Sequence, residues 1–520
     1  MARKCLGGVL TVGAGAVSVA ALLSICAWAD DVPMPAEFGP VRALIEEAIA
    51  KGASPSLALA VVKGDRVVWA EGFGWADLER KIRATSNSIY LLASVSKPIT
   101  ATGLMVLVDR GLVDLDRPAN EYLPGSKLRA HVGSPDEMTI RRLANHTAGL
   151  PIHYNFYHDG ATPLPWDETI RRYGFAACAP GSRWEYSNLA FGLLGYITEV
   201  VSRRPWGEML ENEVFDPIDM VRTSDRVRPG READATVRYA ADAAGRFVRV
   251  EPYGFDHPGA SALWSSASDL GRFLRLNLSD GALEGSRVLS AASARAMRQA
   301  TSRNSAGIGT GVGWAVGEHL GRPCFWHSGG MPGVSTILRG YPEDGIGVVA
   351  LANTPGGLTT EVADRIAKVL LSQRPPEVPA RDPRAGESSA VSREAAGSPS
   401  ADEDSHAPAE DLPGIWEGRL EHFDGAVAVK LIVEREGAVI VSFNGRTLGR
   451  LRDVRRSPNG LVGHIPALIR TQQGFHGIPE LEFRLERDGR RMTGIAVALA
   501  EGYFALSHWL ELEKKGGVRV

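Results

Sequence analysis

The chain has 520 residues, room for two or three domains. Apolar residues make up 44% and charged residues 23%, so full-sized cores are within reach and disorder of the whole chain is excluded. Lys plus Arg (58) and Asp plus Glu (61) leave a net charge of −3, which gives no support to a nucleic-acid partner.

In chain order, residues 1–29 read as an export leader. Arg3 and Lys4 form a basic start, residues 6–25 are apolar and small, and Ala27-Trp28-Ala29 is an A-x-A cleavage site. The expectation is an exported, periplasmic or secreted protein. A membrane contact arises only if the leader stays uncleaved as an anchor, since its apolar run approaches the ~20 residues that span a bilayer. Residues 41–50 have helical periodicity, with Val41, Leu44, Ile45, Ala48 and Ile49 on one face. Residues 56–62 and 67–74 read as a hairpin about Lys63-Gly64-Asp65. Ser94 is expected to open a helix with an apolar stripe of Leu104, Leu107, Val108 and Leu112. A helix- and loop-rich stretch, 112–289, follows. Strand-like runs then occupy 311–317, 322–327, 334–340 and 346–352, before a helix at 359–371.

The fold class expected is therefore an α/β unit over 37–373, an antiparallel sheet flanked by helices with a helical subdomain. Residues 374–411, rich in Pro, Ser, Glu, Asp and Ala, read as a linker that cannot bury enough surface to fold. Residues 412–512 alternate apolar and other residues, as in Val427, Val429, Leu431 and Val433, and read as about eight short strands of a small antiparallel barrel. Gly414-Ile415-Trp416 resembles the G-x-W signature of lipocalin-like barrels. The barrel is expected to affect specificity more than chemistry.

Cys178 and Cys324 would remain after leader removal, and two free buried thiols are expected ahead of a bridge. No metal or other cofactor is expected, for the chain has no C-x-x-C, no H-E-x-x-H and no paired His/carboxylate cluster. His146, His153 and His158 fit neither one helix face nor one strand face. They read as loop and surface histidines, with His146 structural.

The chemistry-bearing stretch is Ser94-Val95-Ser96-Lys97. Residues i and i+3 share a helix face, so the amine can stand beside the hydroxyl. Serine needs a base to become a nucleophile, and a lysine whose pKa is lowered by burial can be that base. Alone, the same four residues also suit a polar first helical turn. Tyr186-Ser187-Asn188 and His327-Ser328-Gly329-Gly330 follow at spacings of about 90 and 140 residues, and the ordered set is far more specific than any member.

With these motifs the sequence resembles the penicillin-recognising serine hydrolases of the class C β-lactamase-like group, which includes DD-peptidases, D-aminopeptidases, esterases and β-lactamases. His146-Thr147-Ala148-Gly149-Leu150, Phe215-Asp216-Pro217-Ile218-Asp219-Met220 and Ser265-Ser266-Ala267-Ser268-Asp269-Leu270 extend the resemblance over residues 38–371, short of the barrel. It implies Ser94 as nucleophile, Lys97 and Tyr186 as proton-transfer groups, and Asn188 as partner of Lys97 and the substrate amide. It also implies the backbone N–H groups of Ser94 and Gly330 as oxyanion donors, beside Gly329. His327 stands where many members carry Lys. A His is mostly neutral at pH 7 and makes a weaker carboxylate anchor. The expected activity is therefore on small esters, amides or D-amino-acid peptides. A true β-lactamase or DD-carboxypeptidase is the first alternative, and a binding or sensing module that acylates and stalls is the second.

Overall fold

The computed structural model describes residues 31–372, 412–457, 459–467, 469, 478–500 and 503–517. The expected leader and linker lie outside the described residues.

The first helix, α1 (Gly39–Ala50), leads into the hairpin β1 (Ser56–Lys63) and β2 (Arg66–Asp77), followed by the short β3 (Ile82–Arg83). The helix α2 (Ser96–Asp109) comes next, and its first twelve residues are all buried. A helix buried on every side is a core element. The expected stripe is thus corrected: Leu112 lies past the helix end and is 52% exposed. Beyond it come β4 (Tyr154–Tyr157), α3 (Asn188–Ser202), β5 (Gly254–Phe255), the one-turn α4 (Pro258–Ser261) and α5 (Ala267–Leu278).

The late strands are β6 (Ser302–Arg303), β7 (Gly309–Thr310), β8 (Ala315–His319), β9 (Arg322–Met331), β10 (Val334–Tyr341) and β11 (Ile346–Ala352), and α6 (Leu358–Ser372) closes the unit. The strand expected at 311–317 is broken. Gly313 sits at φ +82, pressed against Pro98 and Ala101, and a Cβ there would fall 2.7 Å from the Ala101 methyl. The sheet runs β6-β7-β8-β9-β10-β11-β1-β2-β3, antiparallel throughout. Along β1, Leu57, Leu59 and Val61 pack toward α1 and α6, while Ala58, Ala60 and Val62 pack toward α2 and α5. Period-two alternation between two helical layers explains why β1 is apolar on both faces. Each large side chain so buried contributes about 1.5–3 kcal/mol.

The C-terminal strands are β12 (Gly414–His422), β13 (Gly425–Val433), β14 (Val439–Phe443), β15 (Arg446–Arg450), β16 (Arg452–Ser457), β17 (Gly460–Pro466), β18 (Glu480–Asp488), β19 (Arg491–Ala500) and β20 (Phe504–Gly516). They form a nearly closed antiparallel barrel in the order β15-β14-β13-β12-β20-β19-β18-β17-β16. Inward residues such as Trp416, Leu420, Leu431 and Leu510 fill its interior. Trp416 closes the barrel's start by donating its indole N–H to Leu412 O at 3.0 Å.

The barrel is joined to the first unit by strand pairing. Phe504 and Ala505 of β20 pair with Asn155 and Tyr154 of β4, and β4 pairs in turn with β5. Outward residues Ile495, Val497, Ala505 and Trp509 pack on Phe175, Ile152 and Tyr154. Cys178 and Cys324 are free and buried.

Candidate active site

Ser94 sits in a 3-10 turn, Ala93–Val95, and α2 begins at Ser96, two residues later than the sequence suggests. Ala93 holds φ +51. A left-handed conformation costs a non-glycine residue energy and is kept where the surroundings impose it. Here Thr336 Oγ1 donates to Leu92 O at 2.7 Å and Leu263 N donates to Ser96 Oγ at 3.1 Å, fixing the turn from both sides.

Three chemical groups converge on this turn. Lys97 Nζ lies 3.0 Å from Ser94 Oγ, and Tyr186 OH donates to the same oxygen at 2.9 Å. Lys97 Nζ also donates to Asn188 Oδ1 at 2.7 Å and to Ala260 O at 3.2 Å. Burial holds the Lys97 pKa well below its ordinary 10.5, because desolvation penalises the ammonium form. Asn188 is the first residue of α3, where it could have been a cap; instead its Nδ2 donates to His153 O at 2.9 Å.

β9 brings the remaining members to the turn. A Cβ on Gly329 would fall 2.4 Å from Leu92 O and 3.0 Å from Ser94 N, so only glycine fits this approach. Gly330, next along the strand, is exposed to the cleft. His327 is half-buried, and its Nδ1 donates to Ser328 O at 2.7 Å. Burial, aided by the nearby Lys97, pushes its pKa down to about 3, so the ring is neutral at pH 7. Ser94, Tyr186, Asn188 and His327 line one cleft, whose far wall includes Arg484, Glu486 and Ile495 of the barrel. An ion pair from Arg183 to Glu486 ties that wall to the segment that precedes Tyr186.

The expectation of loop and surface histidines is overturned for two of the three. His146 and His153 are 4% and 2% exposed. His146, itself at φ +63, accepts the Ser187 N–H on Nδ1 at 3.3 Å and packs its ring 4.5 Å from that of Tyr186. It is structural in that it holds the 185–187 segment. Burial above all lowers its pKa well below the ordinary 6.5, which keeps it neutral. His153 meets Asp256 and His257 in a buried cluster whose ligand-type atoms lie within 4.8 Å of one another. Sequence reasoning saw no such cluster because His153 is remote in the chain from Asp256 and His257. Both ring nitrogens that face Asp256 are engaged with the same carboxylate oxygen.

The Beta-lactamase family matches this chain over residues 41–373. The chain belongs to that family. It is an enzyme of the serine hydrolase class. It is 31% identical over 355 residues to penicillin-binding protein 4 of Amycolatopsis lactamdurans, covering 64% of this chain and 90% of that one. Its fold is similar to that of the octameric penicillin-binding protein homologue from Pyrococcus abyssi, with a TM-score of 0.56 at 20% identity. That similarity takes in 91% of this chain and 99% of the other, so it extends into the barrel. A class C β-lactamase structure matches with TM-score 0.56 and 18% identity over 66% of this chain and 97% of its own. Among the described residues, no helix is long and apolar enough to cross a membrane.

Proposed function

We propose that this β-lactamase-family chain is an exported hydrolase that works through a Ser94 acyl-enzyme on small esters, amides or D-amino-acid peptides. The carrying observation is that Lys97 Nζ and Tyr186 OH both reach Ser94 Oγ, at 3.0 and 2.9 Å. Neutral Lys97, favoured by its burial, takes the Ser94 proton directly or through Tyr186. Ser94 Oγ then bonds to the substrate carbonyl carbon. The oxyanion is held by the N–H groups of Ser94 and Gly330. Tyr186 returns the proton to the leaving alcohol or amine as its bond to the carbonyl carbon breaks. Water repeats the sequence on the acyl-enzyme and releases the acid.

Neutral His327 supports a substrate without a required carboxylate. The name of the Amycolatopsis relative supports a second reading, that penicillin acylates Ser94. Both readings are tested on the full chain. Ser94→Ala should abolish hydrolysis of a chromogenic ester, and unchanged turnover in that variant sinks the assignment. Faster hydrolysis of a chromogenic cephalosporin than of esters and D-amino-acid amides makes the enzyme a β-lactamase instead. A stable penicilloyl adduct by mass spectrometry, without turnover of any substrate, makes it a penicillin sensor.

A further inference from the structure

Asp256 is buried at the end of β5 and gathers three groups. His153 Nε2 and His257 Nδ1 lie 2.9 and 2.8 Å from its Oδ1, and Asn155 Nδ2 donates to Oδ2 at 2.9 Å. Each imidazole needs one N–H for this, so neutral rings suffice. Burial opposes the charge on Asp256, but the two imidazoles outweigh it and hold the carboxyl below the ordinary carboxylate range. A buried carboxylate satisfied this fully is rigid.

The cluster stands behind Lys97. The amine has two acceptors besides Ser94 Oγ. One, Asn188 Oδ1, is oriented by the Asn188 Nδ2 bond to the His153 carbonyl. The other, Ala260 O, belongs to α4, which begins directly after His257. Asp256 thus grips both residues from which the acceptors of Lys97 are placed. Its outer side leads to the barrel. Asn155 pairs with Phe504, Phe156 N donates to Tyr503 O at 2.7 Å, and Ser507 Oγ donates to Ile152 O at 3.1 Å. Nearby, the Trp509 ring stacks on His131 at 4.5 Å.

We propose that Asp256 is a positioning residue for the Lys97 amine, and that the barrel's last strand, acting through residues 152–157, is the outer support of that positioning. This rests on the reading of Lys97 as the base. It also departs from the expectation that the barrel affects specificity more than chemistry. The groups facing Lys97 are Ser94 on its own turn, Tyr186 and Asn188 at the start of α3, His146 beside Tyr186, His257 before α4, and His327 on β9. Of this set, Asp256 bears directly on His257.

The test uses the full chain, with kinetics on a chromogenic ester across pH and amide hydrogen exchange. Asp256→Asn should lower kcat about 10- to 100-fold at a nearly unchanged KM, since a small displacement of a catalytic group has that effect. Asn155→Ala, which spares the carboxylate, should lower kcat by less at unchanged KM, and it serves if Asp256→Asn does not fold. Trp509→Ala should lower kcat and raise exchange across residues 152–157 and 256–260. Wild-type kcat in Asp256→Asn, or in Asn155→Ala if it must serve, overturns the role of Asp256. In Trp509→Ala, faster exchange confined to the barrel and to 175–177 overturns the role of β20. The exchange experiment needs no turnover. If Ser94 fails to label with a fluorophosphonate, the proposed hydrolysis falls while exchange still decides the coupling.

Discussion

The two units bury different things. In the barrel the inward positions are almost all apolar: Trp416, Leu420, Leu431, Val441 and Leu510 are inaccessible to solvent. In the first unit the surroundings of Ser94 bury a lysine, three histidines and an aspartate: Lys97, His146, His153, His257 and Asp256. Burying a polar group without a partner costs roughly 2–7 kcal/mol, so such a concentration persists only where each group finds one. Lys97 has three oxygen partners and Asp256 has three nitrogen partners. The contrast separates a unit whose interior is held for chemistry from one whose interior is held by packing.

The largest expected effect is on the polar side of that contrast. Lys97→Ala and Tyr186→Phe should each reduce kcat on an ester by about 10²- to 10⁴-fold, as loss of proton-transfer groups does. Because Lys97 is depressed well below 10.5, wild-type activity should rise with pH through a limb well below that value. Lys97→Ala should lack that limb. Wild-type rates in Lys97→Ala would make the buried amine a packing group and erase the distinction.

Gly329→Ala is next in size. The new methyl would collide with Leu92 O and press on Ser94 N, pushing β9 away from the Ser94 turn. A loss of about 10²- to 10³-fold in kcat is expected, the size seen when an oxyanion donor is removed. Stability measured by thermal unfolding should fall much less. An equal fall in both would mean that the close approach is needed for folding and not for the oxyanion.

These residues were legible in the sequence because their chemistry is local. Ser94 and Lys97 occupy one turn, Tyr186 and Asn188 enter one helix, and His327 to Gly330 share one strand. The barrel strands were legible because one face is buried and period-two alternation records it. Other features depend on distant partners. His153, Asn155 and Asp256 mean nothing until β4 and β5 pair. The break at 311–314 follows from the packing of Gly313 on α2, which strand propensity does not encode. Leu112 looked like a stripe position because a hydrophobic period continues past the point where the helix ends. The left-handed Ala93 carries no sequence signal, since alanine does not favour that conformation.

The smallest effect tests a buried histidine of the barrel, His508. On β20, Phe504, Leu506, Leu510 and Leu512 point into the core, and His508 shares their face at 4% exposure. Its Nε2 has no hydrogen-bond partner. Burial, with His422 adding to it, pushes its pKa down to about 3. An unfolded histidine binds a proton below about 6.5, while the folded one resists until about 3. The unfolded state therefore holds more protons across that window, and stability is lost as pH falls through it. His508→Leu removes the orphan nitrogen and this proton linkage, and gives up only the ring's bond to the Glu421 backbone. Barrel stability at pH 7 should rise by about 1–3 kcal/mol, the usual cost of an unsatisfied buried group. The gain should widen at pH 5, and kcat on an ester should not change. Urea unfolding followed at both pH values, beside ester kinetics, decides it. A destabilised barrel or a changed kcat would mean that His508 is held for a purpose, as the buried histidines around Lys97 are.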